Sequence, residues 1–189
     1  LADHTGWAHG AFRLYANYGI VLFGAALLGA FLEARHRRSA AAVGATVWAG
    51  AAAFVAVGLG QLVGRAIDRT RPYAALTGVH LLVHRSSDFS FPSDHATMAG
   101  AIGVGLLLAG KRWGRPAAVA ALLMAFTRVY VGAHYPGDVV AGLALGGLVA
   151  AAGYWLVVPA LARLTQSLSS GPLAWAVASR GSRGDSGDA

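Results

Sequence analysis

Uncharged stretches long enough to cross a membrane alternate along the chain with short basic loops. Residues 14–32 give 19 positions without a charge, residues 40–64 give 25 and residues 139–162 give 24. About 20 apolar residues span a bilayer as a helix, so each run predicts a crossing. Two shorter runs of similar composition, 96–110 and 116–127 continued through Arg128 to 133, predict two more. These fall slightly short unless their polar ends lie in the interface or a wet cavity. The pattern predicts an all-α fold, a polytopic transmembrane helix bundle of about five spans. Residues 1–13, with Trp7 and Phe12 and running into Leu14, predict an N-terminal interfacial helix. They hold no secretory signal pattern, and a chain opening without Met is expected to have a trimmed start. Gly142 and Gly146 have the spacing that lets helices approach closely in lipid.

Composition narrows the class. Hydrophobic residues make up 56% of the 189 and charged residues 12%, against about 25% charged in average soluble domains. That excludes a disordered chain, a nucleic-acid-binding tail and most ordinary soluble enzymes. With no cysteine, disulfides, a thiol nucleophile and thiolate zinc sites are excluded too. The net charge of +7 rests on fourteen Arg and one Lys, Lys111. Arg35, Arg37 and Arg38 lie between spans one and two, Lys111, Arg112 and Arg115 between three and four, and Arg163, Arg180 and Arg183 after five. The positive-inside rule makes these loops cytoplasmic and puts residues 65–95 and 132–138 outside together. The expected organisation is a membrane-embedded domain over 1–178 and a disordered cytoplasmic tail over 179–189, rich in Gly, Ser, Arg and Asp.

The outer segment 65–91 is unusually long for a membrane protein and unusually polar, and Arg65, Arg69 and Arg71 in it run against the topology signal. Three clusters converge on that face. Arg69-Thr70-Arg71-Pro72-Tyr73 follows span two. Phe91-Pro92-Ser93-Asp94-His95 opens span three, with Ser93 as the expected N-cap and a helix N-terminus that favours an anion. A capped helix with an interfacial histidine reads the same residues equally well. The third cluster, 127–138, ends span four and opens span five. In it His134 and Asp138 stand four apart, and Pro136 suits the first turn of a helix. A carboxylate holding one imidazole nitrogen leaves the other free as nucleophile or base. A snorkelling Arg128 beside a loop histidine, or half of a metal site, are the other readings; no further His–carboxylate pair completes a coordination shell. Taken together, guanidiniums, a helix N-terminus, two histidines and an orienting carboxylate read as metal-free phosphoryl transfer through histidine.

The order Arg71-Pro72, then Pro92-Ser93-Asp94-His95, then Thr127-Arg128…His134…Asp138 resembles the three-part signature of the type-2 phosphatidic acid phosphatase superfamily, and covers most of the chain. The resemblance implies His134 as nucleophile, Asp138 as its orienting group and His95 as general acid. It also implies that Arg71, Arg128, Ser93 and the amide of Asp94 hold the phosphate, with no cofactor and no metal. Two positions depart from the usual pattern. Gly64 stands where a Lys is usual, with Arg65 beside it as the substitute phosphate-binding cation, and Asp94 replaces a Gly. The run Ser90-Phe91-Pro92-Ser93-Asp94-His95-Ala96-Thr97 and His134-Tyr135-Pro136 resemble the BcrC-type undecaprenyl-diphosphatases. The implied protein is a multi-pass enzyme of the bacterial plasma membrane with its site on the extracytoplasmic face, serving recycling of the cell-wall lipid carrier. Its partners are an isoprenyl or glycerolipid phosphate and membrane lipids, not nucleic acid. Phosphatidic acid, phosphatidylglycerophosphate or decaprenyl phosphate are alternative substrates, and a non-catalytic lipid-binding or transport protein is the alternative of another class.

Overall fold

The computed structural model describes residues 5–169. Residues 1–4 and the expected tail at 179–189 lie outside the described residues. The chain forms helices α1 (His9–Tyr18), α2 (Ile20–His36), α3 (Ala40–Ile67), α4 (Pro72–Ala75), α5 (Asp94–Ala109), α6 (Lys111–Tyr130), α7 (Pro136–Leu156) and α8 (Val158–Ser169), after a 3-10 turn at Gly6–Ala8. No strand occurs among the described residues, so the all-α expectation holds. Helices α3 and α7 are long and apolar enough to cross a membrane, and α1 and α2 pass the same test as one bent pair. Helix α5 is apolar but has only 16 residues, and α6 starts with Lys111, Arg112 and Arg115. These are the two elements expected to end in polar surroundings.

Helix α5 is the axis of the bundle and packs on α3, α6 and α7. An almost wholly apolar helix belongs in such a central place; Ala96, Ala99, Ala101 and Leu106 are buried within it. Leu28, Phe54, Val119, Leu122 and Leu148 point outward from the surrounding helices, an arrangement suited to lipid. The Gly142–Gly146 spacing does pack helices. A Cβ on Gly142 would stand 2.7 Å from the Ser93 carbonyl oxygen, and one on Gly146 would strike the Thr97 carbonyl. Bare backbone at both positions sets the start of α7 directly against the start of α5.

One expected span is bent and another ends earlier than its uncharged run. The run 14–32 bends by 55° where α1 meets α2 at Gly19. There a side chain would collide with the Tyr15 carbonyl and the Met124 methyl. The run 139–162 ends as a helix at Leu156, and α8 begins at Val158. Pro159 can give no N–H to the preceding turn and crowds the carbonyl four residues back, which stops α7 from continuing. Helix α8, not anticipated from the sequence, returns to pack on α3, with Leu161 and Ala162 against Gly44.

Candidate active site

The C-terminal ends of α3 and α6 and the N-terminal ends of α5 and α7 share one end of the bundle, so the three sequence clusters meet there. Segment 76–93 folds over them as irregular chain. It is pinned by Ser90 N–H to the Arg69 carbonyl at 2.8 Å and Leu82 N–H to the Val131 carbonyl at 3.1 Å. Tyr73 helps to hold it, its hydroxyl donating to the Ser86 carbonyl at 2.7 Å. The Phe91–Pro92 peptide in this segment is cis.

His134 lies in the connection between α6 and α7 and is buried. Its Nδ1 is 2.8 Å from the Ser90 carbonyl oxygen, and its Nε2 is 3.2 Å from Arg71 Nη1. A carbonyl only accepts, so Nδ1 carries the proton; Nε2 then presents a lone pair, which the Arg71 guanidinium meets as a donor. Burial is the largest influence on the imidazole and favours its neutral form. The charges of Arg128 and Arg71 act in the same direction against Asp138 and the Ser90 hydrogen bond, so its pKa lies below the ordinary histidine value.

Asp138, fully buried at the third position of α7, stands 3.7 Å from His134 Nδ1 through its Oδ2, beyond a direct hydrogen bond. Its oxygens are taken by others. Oδ2 accepts from the Ser90 hydroxyl at 2.6 Å and from the Tyr135 N–H at 2.9 Å. Oδ1 accepts from Arg69 at 2.9 Å. Arg69 also stacks on the Tyr135 ring, 4.1 Å from its centroid. Asp138 thus stands at ion-pair distance from His134, as expected, without a direct hydrogen bond, and Ser90 links the two, its hydroxyl bound to Asp138 and its carbonyl to His134.

The same end of the bundle holds donors with spare capacity. Ser93 is the N-cap residue of α5, as expected, but its hydroxyl caps nothing and is buried without a partner. Its N–H donates to the Asp138 carbonyl at 3.1 Å. With no side-chain cap, the first-turn N–H groups of α5 remain available to an anion. Arg128 is buried on α6; one terminal nitrogen reaches the Ala16 carbonyl at 3.4 Å, and its Nε has no partner. His95, in the first turn of α5, lies within electrostatic reach of Arg128, His134 and Arg71. Asp94 turns its carboxylate to Gln61 of α3, which donates to Oδ2 at 2.7 Å. An open cavity of about 260 Å³ lined by Arg69, Arg71, Tyr73, Ser86 and Asp88 adjoins this group.

The structure thus gathers His134, His95, Asp138, Arg71, Ser93, Asp94 and Arg128 at one end of the bundle. Arg65 sits exposed in the last turn of α3 and makes none of the contacts above. Ser90, Arg69 and Gln61 are the residues to which sequence reasoning gave no role in the site. Arg69 had a signal, a second cation against the topology rule beside Arg71. Gln61 is the one amide side chain in the uncharged run 40–64. Among the described residues no group of three or more His, Asp or Glu side chains is placed to hold a metal ion.

The family model described as "PAP2 superfamily" matches residues 42–161. The chain is 32% identical over 153 residues to undecaprenyl-diphosphatase BcrC of Bacillus subtilis, covering 80% of this chain and 73% of that protein. It is 41% identical over 129 residues to decaprenylphosphoryl-5-phosphoribose phosphatase of Mycobacterium tuberculosis, covering 67% and 66%. It is 34% identical over 151 residues to lipid A 1-phosphatase of Rhizobium johnstonii, covering 75% and 60%. No solved structure matches the chain. Every side chain placed above between Gln61 and Asp138 falls within the matched region, in a bundle whose helices have the apolar character of a membrane protein, and the chain belongs to the PAP2 superfamily.

Proposed function

We propose that this protein is an integral membrane lipid phosphatase that converts undecaprenyl diphosphate to undecaprenyl phosphate and inorganic phosphate. The observation that carries the reading is the fixed tautomer of His134. Nδ1 is committed to the Ser90 carbonyl, and Nε2 faces a guanidinium with unpaired buried donors nearby. A neutral imidazole whose Nε2 lone pair is turned toward phosphate-binding cations is suited to attack on phosphorus.

In this reading His134 Nε2 bonds to the terminal phosphorus, the bridging P–O bond breaks, and its electron pair leaves with the lipid phosphate. His95 gives the leaving oxygen a proton. Water then attacks phosphorus and loses its proton to His95, the P–N bond breaks, and phosphate departs. Arg71, Arg128, the Ser93 hydroxyl and the Asp94 N–H hold the non-bridging oxygens, and developing charge is met without a metal. Asp138 positions His134 through Ser90, and Arg65, at the rim, draws the anion inward. The basic loops at the opposite end support a site on the extracytoplasmic face of a bacterial plasma membrane.

The relatives' names support a phosphate carried on a lipid, and the BcrC name supports a diphosphate. A lipid monophosphate is the second reading, favoured by the 41% identity to a decaprenylphosphoryl-5-phosphoribose phosphatase. Phosphate release by purified protein in EDTA, from C55 diphosphate, C55 monophosphate and phosphatidic acid, separates them. The diphosphate is expected to turn over fastest. Faster release from a monophosphate moves the assignment to that lipid, and release from none leaves a binding protein.

A further inference from the structure

At the end of the bundle opposite His134, a recess of about 200 Å³ opens between α2, α3, α5 and α6; its walls include Glu33, Arg37, Thr46, Lys111, Arg112 and Trp113. Glu33 organises it. Its carboxylate receives Trp113 Nε1 at 2.7 Å, Arg37 at 2.6 Å and Arg112 at 3.3 Å. Among the described residues this end of the bundle carries Arg37, Arg38, Lys111, Arg112 and Arg115 around the Glu33 carboxylate, so the recess is left with an excess of positive charge after Glu33 is paired. Helix α6 begins at its wall with no side-chain cap, adding the positive end of a 20-residue helix. The proposed phosphatase reaction uses none of these groups.

Beside the recess, and sharing Thr46 with it, runs an open apolar groove of about 230 Å³ between α2 and α3, lined by Leu27, Leu28, Phe31, Val47 and Gly50. Leu28 and Val47 are exposed along it. A cationic recess at a bundle end, continuous with an apolar outward groove, has the two-part shape of a phospholipid. Basic pockets between membrane helices favour anionic headgroups.

We propose that the recess binds the headgroup of an anionic phospholipid from the leaflet opposite the active site, with an acyl chain lying in the α2–α3 groove. Glu33 holds Arg37 and Arg112 at the mouth, and Lys111 with the free N–H groups of α6 completes the anion contact.

Native mass spectrometry of the purified full chain, with phosphatidylglycerol and phosphatidylcholine titrated separately, tests this. Phosphatidylglycerol is expected to bind at least about tenfold more tightly, and the double variant Lys111→Glu/Arg112→Glu to remove that preference. Val47→Trp, which fills the groove without touching a charge, is expected to weaken phosphatidylglycerol binding as well. Equal affinity for the two lipids in the unmodified protein overturns the proposal. So does retention of the preference in the charge variant, or full binding by Val47→Trp, which would mean surface attraction alone. The readout is lipid retention, not turnover, so the result stands apart from the proposed phosphatase activity.

Discussion

Ser90 and His134, 44 positions apart in the chain, are joined by a 2.8 Å hydrogen bond from imidazole Nδ1 to the Ser90 carbonyl oxygen. The Ser90 hydroxyl, 2.6 Å from Asp138 Oδ2, ties the same residue to the carboxylate. One serine thus connects the proposed nucleophile to the acid that sits 3.7 Å away from it.

This geometry ranks three substitutions. His134→Ala removes the attacking nitrogen and is expected to abolish turnover. Asp138→Asn keeps the shape but loses the charge that faces Arg69 and Ser90, and a small residue of activity should survive. Ser90→Ala keeps the backbone carbonyl that fixes the tautomer and loses one hydroxyl contact, so its kcat should fall by about tenfold, the scale of one hydrogen bond. Phosphate release by the three purified variants checks the order. A Ser90→Ala enzyme weaker than Asp138→Asn would contradict it.

The pH profile follows from His134. Burial and the flanking guanidiniums of Arg71 and Arg128 lower its pKa. The attacking form is the neutral one, and a lowered pKa keeps it populated further into acid. The acid limb of kcat/KM, which reports the free enzyme, should therefore have its midpoint below the ordinary imidazole value of about 6.5. A midpoint above that value would disagree with the buried, doubly flanked ring.

His95 is assigned by leaving-group chemistry. A lipid diphosphate expels a phosphate ester, a stable anion, whereas a monophosphate ester must expel an alkoxide that needs a proton more urgently. General acids contribute roughly 10²–10⁴-fold, most for the poorer leaving group. His95→Ala should therefore reduce hydrolysis of a lipid monophosphate more than that of C55 diphosphate, measured where chemistry limits the rate. Equal losses on both would leave His95 as a phosphate ligand only.

The proposed orientation can be read in intact cells, because the native chain has no cysteine. A membrane-impermeant thiol reagent is expected to label a cysteine introduced as Thr77→Cys and to spare Ser39→Cys, at the N-cap of α3. The reverse labelling would put the site in the cytoplasm.

Gly146→Val tests the contact between α5 and α7. The new side chain would meet the Thr97 carbonyl and the Ala101 N–H, both fixed backbone. Overpacking of this kind costs about 1–3 kcal/mol. Thermal unfolding in detergent should show a lower midpoint, with activity falling too, because the two helices carry Asp138 and His95. An unchanged midpoint would mean that the helices can separate at this point without loss.

Most of this arrangement is legible in the sequence because its signals are local. Uncharged runs mark α3 and α7, Pro136 marks the start of α7, and His134 and Asp138 stand four apart. What escapes is set by contacts between distant segments. At the 55° bend, Gly19 lies against Met124 of the distant α6. The partner of His134 Nδ1 is a backbone carbonyl, invisible to any reading of side-chain types. Gln61 meets Asp94 only because α3 runs beside α5, and Arg69 rather than Arg65 reaches Asp138 because α3 ends at Ile67 and the chain turns there.

The brevity of α5 reaches beyond the protein itself. Sixteen residues at 1.5 Å each give a rod of about 24 Å, against roughly 30 Å of hydrocarbon. If its inner end rests at one headgroup boundary, Ser93, Asp94 and His95 stand about 6 Å below the other. A lipid diphosphate must sink beneath the plane of its neighbours to meet them, or the bilayer around the bundle must pucker inward. Either distortion grows with membrane thickness. On that placement the proposed turnover is coupled to the mechanics of the leaflet, with thin bilayers presenting a diphosphate almost flush with its donors and thick ones holding it away.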